Sequence, residues 1–185
     1  KNPVVDIAMP DPTVIKAADG YFYMYATEST RNVPIMKSKD LVQWTYCNTA
    51  FTNKTRPRFE PKAGIWAPDI NYINNKYVLY YAMSVWGGEQ TCGIGVATAD
   101  SPQGPFTDHG KMFRSNEIGV QNSIDPSFLQ YEGRNYLVWG SFRGIYVIEL
   151  TEDGLSLKPG AEKKRIAGTA FEAAYIHKLG DYYYM

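Results

Sequence analysis

Three acidic residues stand at one point of a recurring sequence pattern. Asp11 opens Asp11-Pro-Thr-Val-Ile, Asp125 opens Asp125-Pro-Ser-Phe-Leu, and Glu172 opens Glu172-Ala-Ala-Tyr-Ile. A further copy, Ala67-Pro-Asp-Ile-Asn, has Ala67 at that point, preceded by Trp66. If the copies are arranged around a common axis, the three carboxyl groups become neighbours. Like charges in a partly dehydrated pocket shift one another's pKa, and one carboxyl is kept protonated. A purely structural site does not normally gather them without a cation or arginine partners. Such a trio suits cleavage of a glycosidic bond, where one carboxylate activates water, one carboxylic acid protonates the departing oxygen, and a third group sets pKa and orientation.

The elements that must position these acids are short strands. Each copy reads as a strand, a tight turn carrying Gly, Asn or Asp, and a second, tyrosine-rich strand such as Tyr21-Phe-Tyr-Met-Tyr or Tyr77-Val-Leu-Tyr-Tyr. The copies start 56, 58 and 47 residues apart, with two further strand-like runs inside each interval. Four strands at a period of about 40 to 60 residues make a propeller blade. The spacing predicts blade 1 over about 11–60, blade 2 over about 66–115, blade 3 over about 122–168 and the start of a fourth blade over about 169–185. All of residues 1–185 then belong to one all-β propeller domain. The sequence ends at Met185 inside the second strand of the fourth blade, so the expectation is a portion of a longer protein.

Composition narrows the partners. Lys+Arg and Asp+Glu are equal at 19 each, which gives no net field to attract nucleic acid, an anionic membrane or a polyanion. A neutral partner fits, and the 15 Tyr, 8 Phe and 4 Trp suit one with flat apolar faces, as sugar rings have. Two cysteines, Cys47 and Cys92, define neither a metal site nor a disulfide framework. No apolar run approaches the roughly 20 residues of a membrane helix. The start, KNPVVDIAMPDP, lacks the charged-then-apolar pattern of a signal peptide, so an export signal would already have been removed.

Taken in order, Asp11-Pro-Thr-Val-Ile, Ser38-Lys-Asp-Leu-Val-Gln-Trp44, Ile65-Trp-Ala-Pro-Asp-Ile70, Ile94-Gly-Val-Ala-Thr98, Asn122-Ser-Ile-Asp-Pro126, Gly140-Ser-Phe142 with Gly144-Ile145, and Phe171-Glu-Ala-Ala-Tyr-Ile176 resemble glycoside hydrolase family 43. Within it the chain looks closest to the endo-1,5-α-L-arabinanases. The resemblance implies a five-bladed β-propeller, of which this sequence supplies about three and a half blades. It also implies an inverting mechanism, with Asp11 as general base and Glu172 as general acid. Asp125 would tune and hold Glu172, whose pKa should be raised by burial and by the charge of Asp125. Trp66 and Trp86 match sugar platforms, and Asn122, Ser141 and Phe142 match positions near substrate. The family usually has Pro where Ala174 stands. Calcium at the channel centre is implied too, held by residues that lie outside this sequence, while the chemistry itself requires no cofactor and no metal ligand is expected here. The expected partner is a plant cell-wall polysaccharide or oligosaccharide, with no nucleic acid and no membrane, and the expected location is secreted or periplasmic. Alternative readings are a β-xylosidase or arabinofuranosidase of the same family acting on xylan or arabinoxylan, a fructoside-cleaving propeller enzyme, and a glycan-binding propeller without catalysis.

Other signals are weaker. His109 falls in a turn and His177 alternates to the face opposite Glu172. Gly93-Ile-Gly95 lacks the third glycine of a dinucleotide loop, and Gly140-Ser-Phe-Arg-Gly144 is not a nucleophile elbow. Asp69 shares the channel face one layer deeper than the three acids and is expected to be structural. Asn53-Lys-Thr55 fits a common glycosylation triplet.

Overall fold

The computed structural model describes residues 2–185. Aromatic and β-branched runs punctuated by turn residues fold into three four-stranded antiparallel sheets and a hairpin. The first sheet runs β1 (Thr13–Lys16), β2 (Phe22–Tyr25), β3 (Pro34–Ser38), β4 (Thr45–Thr49), and the second β5 (Gly64–Ile73), β6 (Lys76–Ser84), β7 (Gly93–Ala99), β8 (Thr107–Arg114). A single helical turn, α1 (Ser115–Ile118), leads to the third sheet of β9 (Ser127–Tyr131), β10 (Arg134–Trp139), β11 (Ile145–Glu149) and β12 (Lys164–Ala167). The hairpin is β13 (His177–Leu179) with β14 (Tyr182–Tyr184). Strands follow chain order within every sheet, as in propeller blades.

The turns explain the order. Between β1 and β2 the chain reverses at Ala18-Asp19-Gly20, where Gly20 has φ 83° and the Asp19 carboxylate accepts the Tyr21 amide at 3.0 Å and the Tyr23 hydroxyl at 2.7 Å.

β6 shows how the blades pack. It is buried at every residue after Lys76, because a blade covers each of its faces. Alternation sends Tyr77, Leu79, Tyr81 and Met83 into a core shared with the first sheet, where Tyr25, Ile35, Phe51 and Phe106 meet them. Val78 and Tyr80 point the other way, into a core with Phe113, Leu137, Trp139 and Ile148 of the second and third sheets. The buried tyrosines keep their hydroxyls satisfied: Tyr80 donates to the Gly154 carbonyl at 2.9 Å and Tyr81 to Asp108 at 2.5 Å.

The first strands of the blades are joined through Asp69. Its carboxyl accepts the Phe128 amide of β9 at 2.7 Å, the Asn71 side-chain amide at 2.8 Å and the Thr13 hydroxyl of β1 at 3.4 Å. One side chain therefore links three blades at the channel, the structural role expected of it. Burial pushes its pKa up to about 6, against the pull of those three hydrogen bonds.

Candidate active site

Where each first strand begins, the backbone takes an unusual turn. Asp11, Ala67, Asp125 and Ala173 have φ of 49°, 40°, 57° and 52°, the left-handed region that side chains rarely occupy. In β5 the same turn is a bulge, since Trp66 faces Ala82 and Asp69 faces Tyr80, leaving Ala67 and Pro68 opposite one residue. Such outliers cluster where function over-determines the backbone.

This ring corrects the alignment of the fourth copy. The residue equivalent to Asp11 and Asp125 is Ala173, followed by Ala174 where the other copies have Pro12, Pro68 and Pro126. Glu172 is one residue earlier, at the position of Pro10, Trp66 and Ile124. The backbone agrees: the Thr27 amide donates to the Pro10 carbonyl and the Gly140 amide to the Ile124 carbonyl, both at 3.0 Å. Glu172 still reaches the other acids, because the chain enters the ring beside Ser141, with which it forms an antiparallel bridge.

Asp11, Asp125 and Glu172 line one open cavity of about 570 Å3 at the channel mouth, with Trp66, Trp86 and Phe142 on its walls. A second cavity of about 680 Å3 continues down the channel past Asp69, and Asp11 and Asp125 line both. Asp11 is exposed and accepts the Thr27 hydroxyl on Oδ2 at 2.6 Å. Asp125 is partly buried and accepts the Ala173 amide on Oδ2 at 3.2 Å. Glu172 is exposed and accepts the Ser141 hydroxyl on Oε2 at 3.1 Å.

Burial, then the negative charge of Glu172 and more weakly that of Asp11, push the Asp125 pKa up to about 7, against the Ala173 hydrogen bond. Asp125 is thus the acid of the three that its neighbours enclose.

Trp86 is 94% exposed and tilts against Trp66 with ring centroids 5.5 Å apart. Trp66 is half-buried, packed on Ala82, Cys92 and Ile124. Phe142 is exposed at the rim. Asn122 lines the cavity and donates to the Ser141 carbonyl at 3.1 Å. Ser141 lines the same cavity but is 2% exposed, and its hydroxyl is directed to Glu172. His109 is exposed and bonded to the Thr98 hydroxyl at 2.8 Å, and His177 stacks on Tyr175.

Two residues escaped the sequence reading. Thr27 touches Asp11; its position is filled by Ala82 and Gly140 in the other blades, so a hydroxyl among small apolar residues was the available signal. Glu89 accepts a two-pronged bond from Arg143, both contacts at 3.0 Å, tying the Trp86 loop to the Phe142 turn. Nothing local in sequence links those loops. Among the described residues no group of three or more His, Cys, Asp or Glu could hold a metal, and Asp69 is committed to its three donors.

The family model for glycosyl hydrolases family 43 matches residues 1–185. A probable arabinan endo-1,5-α-L-arabinosidase C of Aspergillus niger is 31% identical over 95% of this chain and 57% of the relative. The extracellular endo-α-(1→5)-L-arabinanase 1 of Bacillus subtilis is 35% identical over 95% of this chain and 57% of the relative. The chain thus spans 57% of the length of these relatives. Among solved structures, a native Bacillus subtilis arabinanase superposes with a TM-score of 0.83 at 31% identity, covering 96% of this chain and 65% of that one. A Cellvibrio cellulosa α-L-arabinanase solved with arabinohexaose superposes with a TM-score of 0.81 at 27% identity, over 96% and 63%. Their fold is the five-bladed β-propeller, of which this chain holds three blades and the first hairpin of a fourth. With its ring of acids at the channel mouth and a family match running from end to end, the chain belongs to glycosyl hydrolase family 43.

Proposed function

We propose that the complete protein is a glycoside hydrolase that cleaves α-L-arabinofuranosyl linkages in arabinan by an inverting acid/base mechanism. The observation that carries this reading is the meeting of Asp11, Asp125 and Glu172 in one cavity with an aromatic wall. Asp11, exposed to water, takes a proton from the attacking water as its oxygen bonds to the anomeric carbon. Glu172 gives its proton to the departing glycosidic oxygen as that bond breaks. Asp125 lines the same cavity, and its carboxyl feels the negative charge of Glu172. Trp86, Trp66 and Phe142 offer apolar faces to furanose rings. The arabinanase names of two relatives and the arabinohexaose complex of a third support the substrate. A polymer of the plant cell wall lies outside the cell, which is consistent with secretion, as in the extracellular Bacillus subtilis relative. Among the described residues, no helix is long and apolar enough to cross a membrane.

Two variants test the roles in the complete protein. Glu172→Gln abolishes cleavage of arabinan yet keeps much of the activity on an aryl arabinofuranoside whose leaving group needs no proton. Asp11→Asn abolishes both. Equal loss of both substrates in Glu172→Gln would remove it as the general acid.

A further inference from the structure

We infer that Thr27 is a positioning residue for Asp11: pinned between two blades, its hydroxyl holds one carboxylate oxygen and leaves the other to face the cavity. The inference rests on the reading of Asp11 as general base.

The bond directions follow from the chemistry of a hydroxyl, which has one proton to give. The Thr27 Oγ1 receives the Ala67 amide at 2.7 Å, so its acceptor side is engaged. Its proton goes to Asp11 Oδ2, 2.6 Å away, a charge-assisted bond of the short kind. Ala67 is the ring residue of the next blade, so Asp11 is tied through Thr27 to its neighbour's left-handed turn.

Thr27 has little freedom to do otherwise. Its amide donates to the Pro10 carbonyl at 3.0 Å, and the next amide, Glu28, donates to the Ile65 carbonyl at 3.1 Å. The Glu28 carboxylate is then locked by Arg56, through contacts of 2.7 and 2.8 Å, and by the amides of Asn32 at 2.7 Å and Ile65 at 3.0 Å. Both side chains of that pair are more than nine-tenths buried. Burial pushes the Glu28 pKa up, but Arg56 and the two amides outweigh it and hold the carboxyl below its usual range. A β-branched side chain on so fixed a backbone has few rotamers, which is what aiming a hydroxyl requires. The corresponding residues of the other blades, Ala82 and Gly140, carry no hydroxyl, so the arrangement is particular to the blade that bears Asp11.

The test uses the complete protein with soluble 1,5-linked arabinan as substrate. Thr27→Val keeps the shape and removes the donor; kcat should fall about 10- to 100-fold with KM changed less than about 2-fold, since misplacing a catalytic group affects turnover more than binding. Thr27→Ser should retain kcat within about 3-fold, which a role in packing alone would not give. If Thr27→Val fails to fold, Thr27→Ala, which also removes the donor, is read the same way. A Thr27→Val enzyme with full kcat, or a Ser variant as impaired as Val, would overturn the inference. Activity surviving in Asp11→Asn would instead overturn the base assignment on which it rests.

Discussion

Asp125 should destabilise this protein at neutral pH, and removing its charge should make the protein more stable while lowering its activity. The group's pKa moves from 3.8 to about 7 on folding, so the native state binds its proton more tightly than the unfolded chain. Between those values the native state holds more protons, and stability falls as pH rises through the window. At 1.36 kcal/mol per pKa unit the full cost is about 4 kcal/mol. Asp125 opens partly on the cavity, so water screens some of it and about 2 kcal/mol is the working expectation. Asp125→Asn removes the charge yet keeps an oxygen to accept the Ala173 amide. Asn also tolerates the left-handed backbone at least as well as Asp, a gain independent of pH that cancels between conditions. Urea unfolding of wild type and Asp125→Asn, at about pH 4 and about pH 8, measures the difference. The variant should gain about 2 kcal/mol more at the higher pH than at the lower. An equal gain at both, or none at the higher, would refute the account of a charge held at a cost between Glu172 and Asp11.

Trp86→Ala should weaken binding of arabinooligosaccharides with no measurable loss of melting temperature, whereas Trp66→Ala should cost about 3 kcal/mol of stability as well, because Trp66 packs on Ala82, Cys92 and Ile124; isothermal titration and calorimetry read the two effects. Ser141→Ala should slow turnover of arabinan about 10-fold by freeing the Glu172 carboxyl, with a smaller effect on an aryl arabinofuranoside, as steady-state kinetics on both substrates will show. Arg56→Met should destabilise by about 3–5 kcal/mol by leaving Glu28 buried and unpaired, and adding Glu28→Leu should recover part of that loss in chemical denaturation.

The blades were legible because a propeller repeats itself. The pattern of strand, turn and tyrosine-rich strand recurs in β1–β2, β5–β6, β9–β10 and β13–β14, and each copy fell where a hairpin forms. Two of the acids were legible for the same reason, since Asp-Pro marks Asp11 and Asp125 at one ring position. Glu172 was aligned one residue off because its copy lacks the proline that would have marked Ala174; the left-handed φ of Ala173 supplies the register that the letters do not. What stayed hidden depends on contacts between blades. Thr27 meets Asp11 and Ala67, Ser141 meets Glu172, and Glu89 meets Arg143 across 31 to 54 residues of chain in the last two pairs. Strand periodicity says which face a side chain takes, and the depth of burial that separates a substrate contact from a buried support comes only from the packed neighbours. The raised pKa likewise followed enclosure, at Asp125, which no local motif encodes.

In the proposed mechanism Asp11 and Glu172 act on opposite sides of the anomeric carbon in a single displacement. Proton NMR of the complete protein acting on 1,5-linked α-L-arabinan, read before mutarotation, tests it directly. The first product formed at the new reducing end should be the β-anomer, which then relaxes toward the α/β equilibrium. An α-anomer formed first would mean retention through a covalent intermediate and would contradict the assignment of Asp11 as a base.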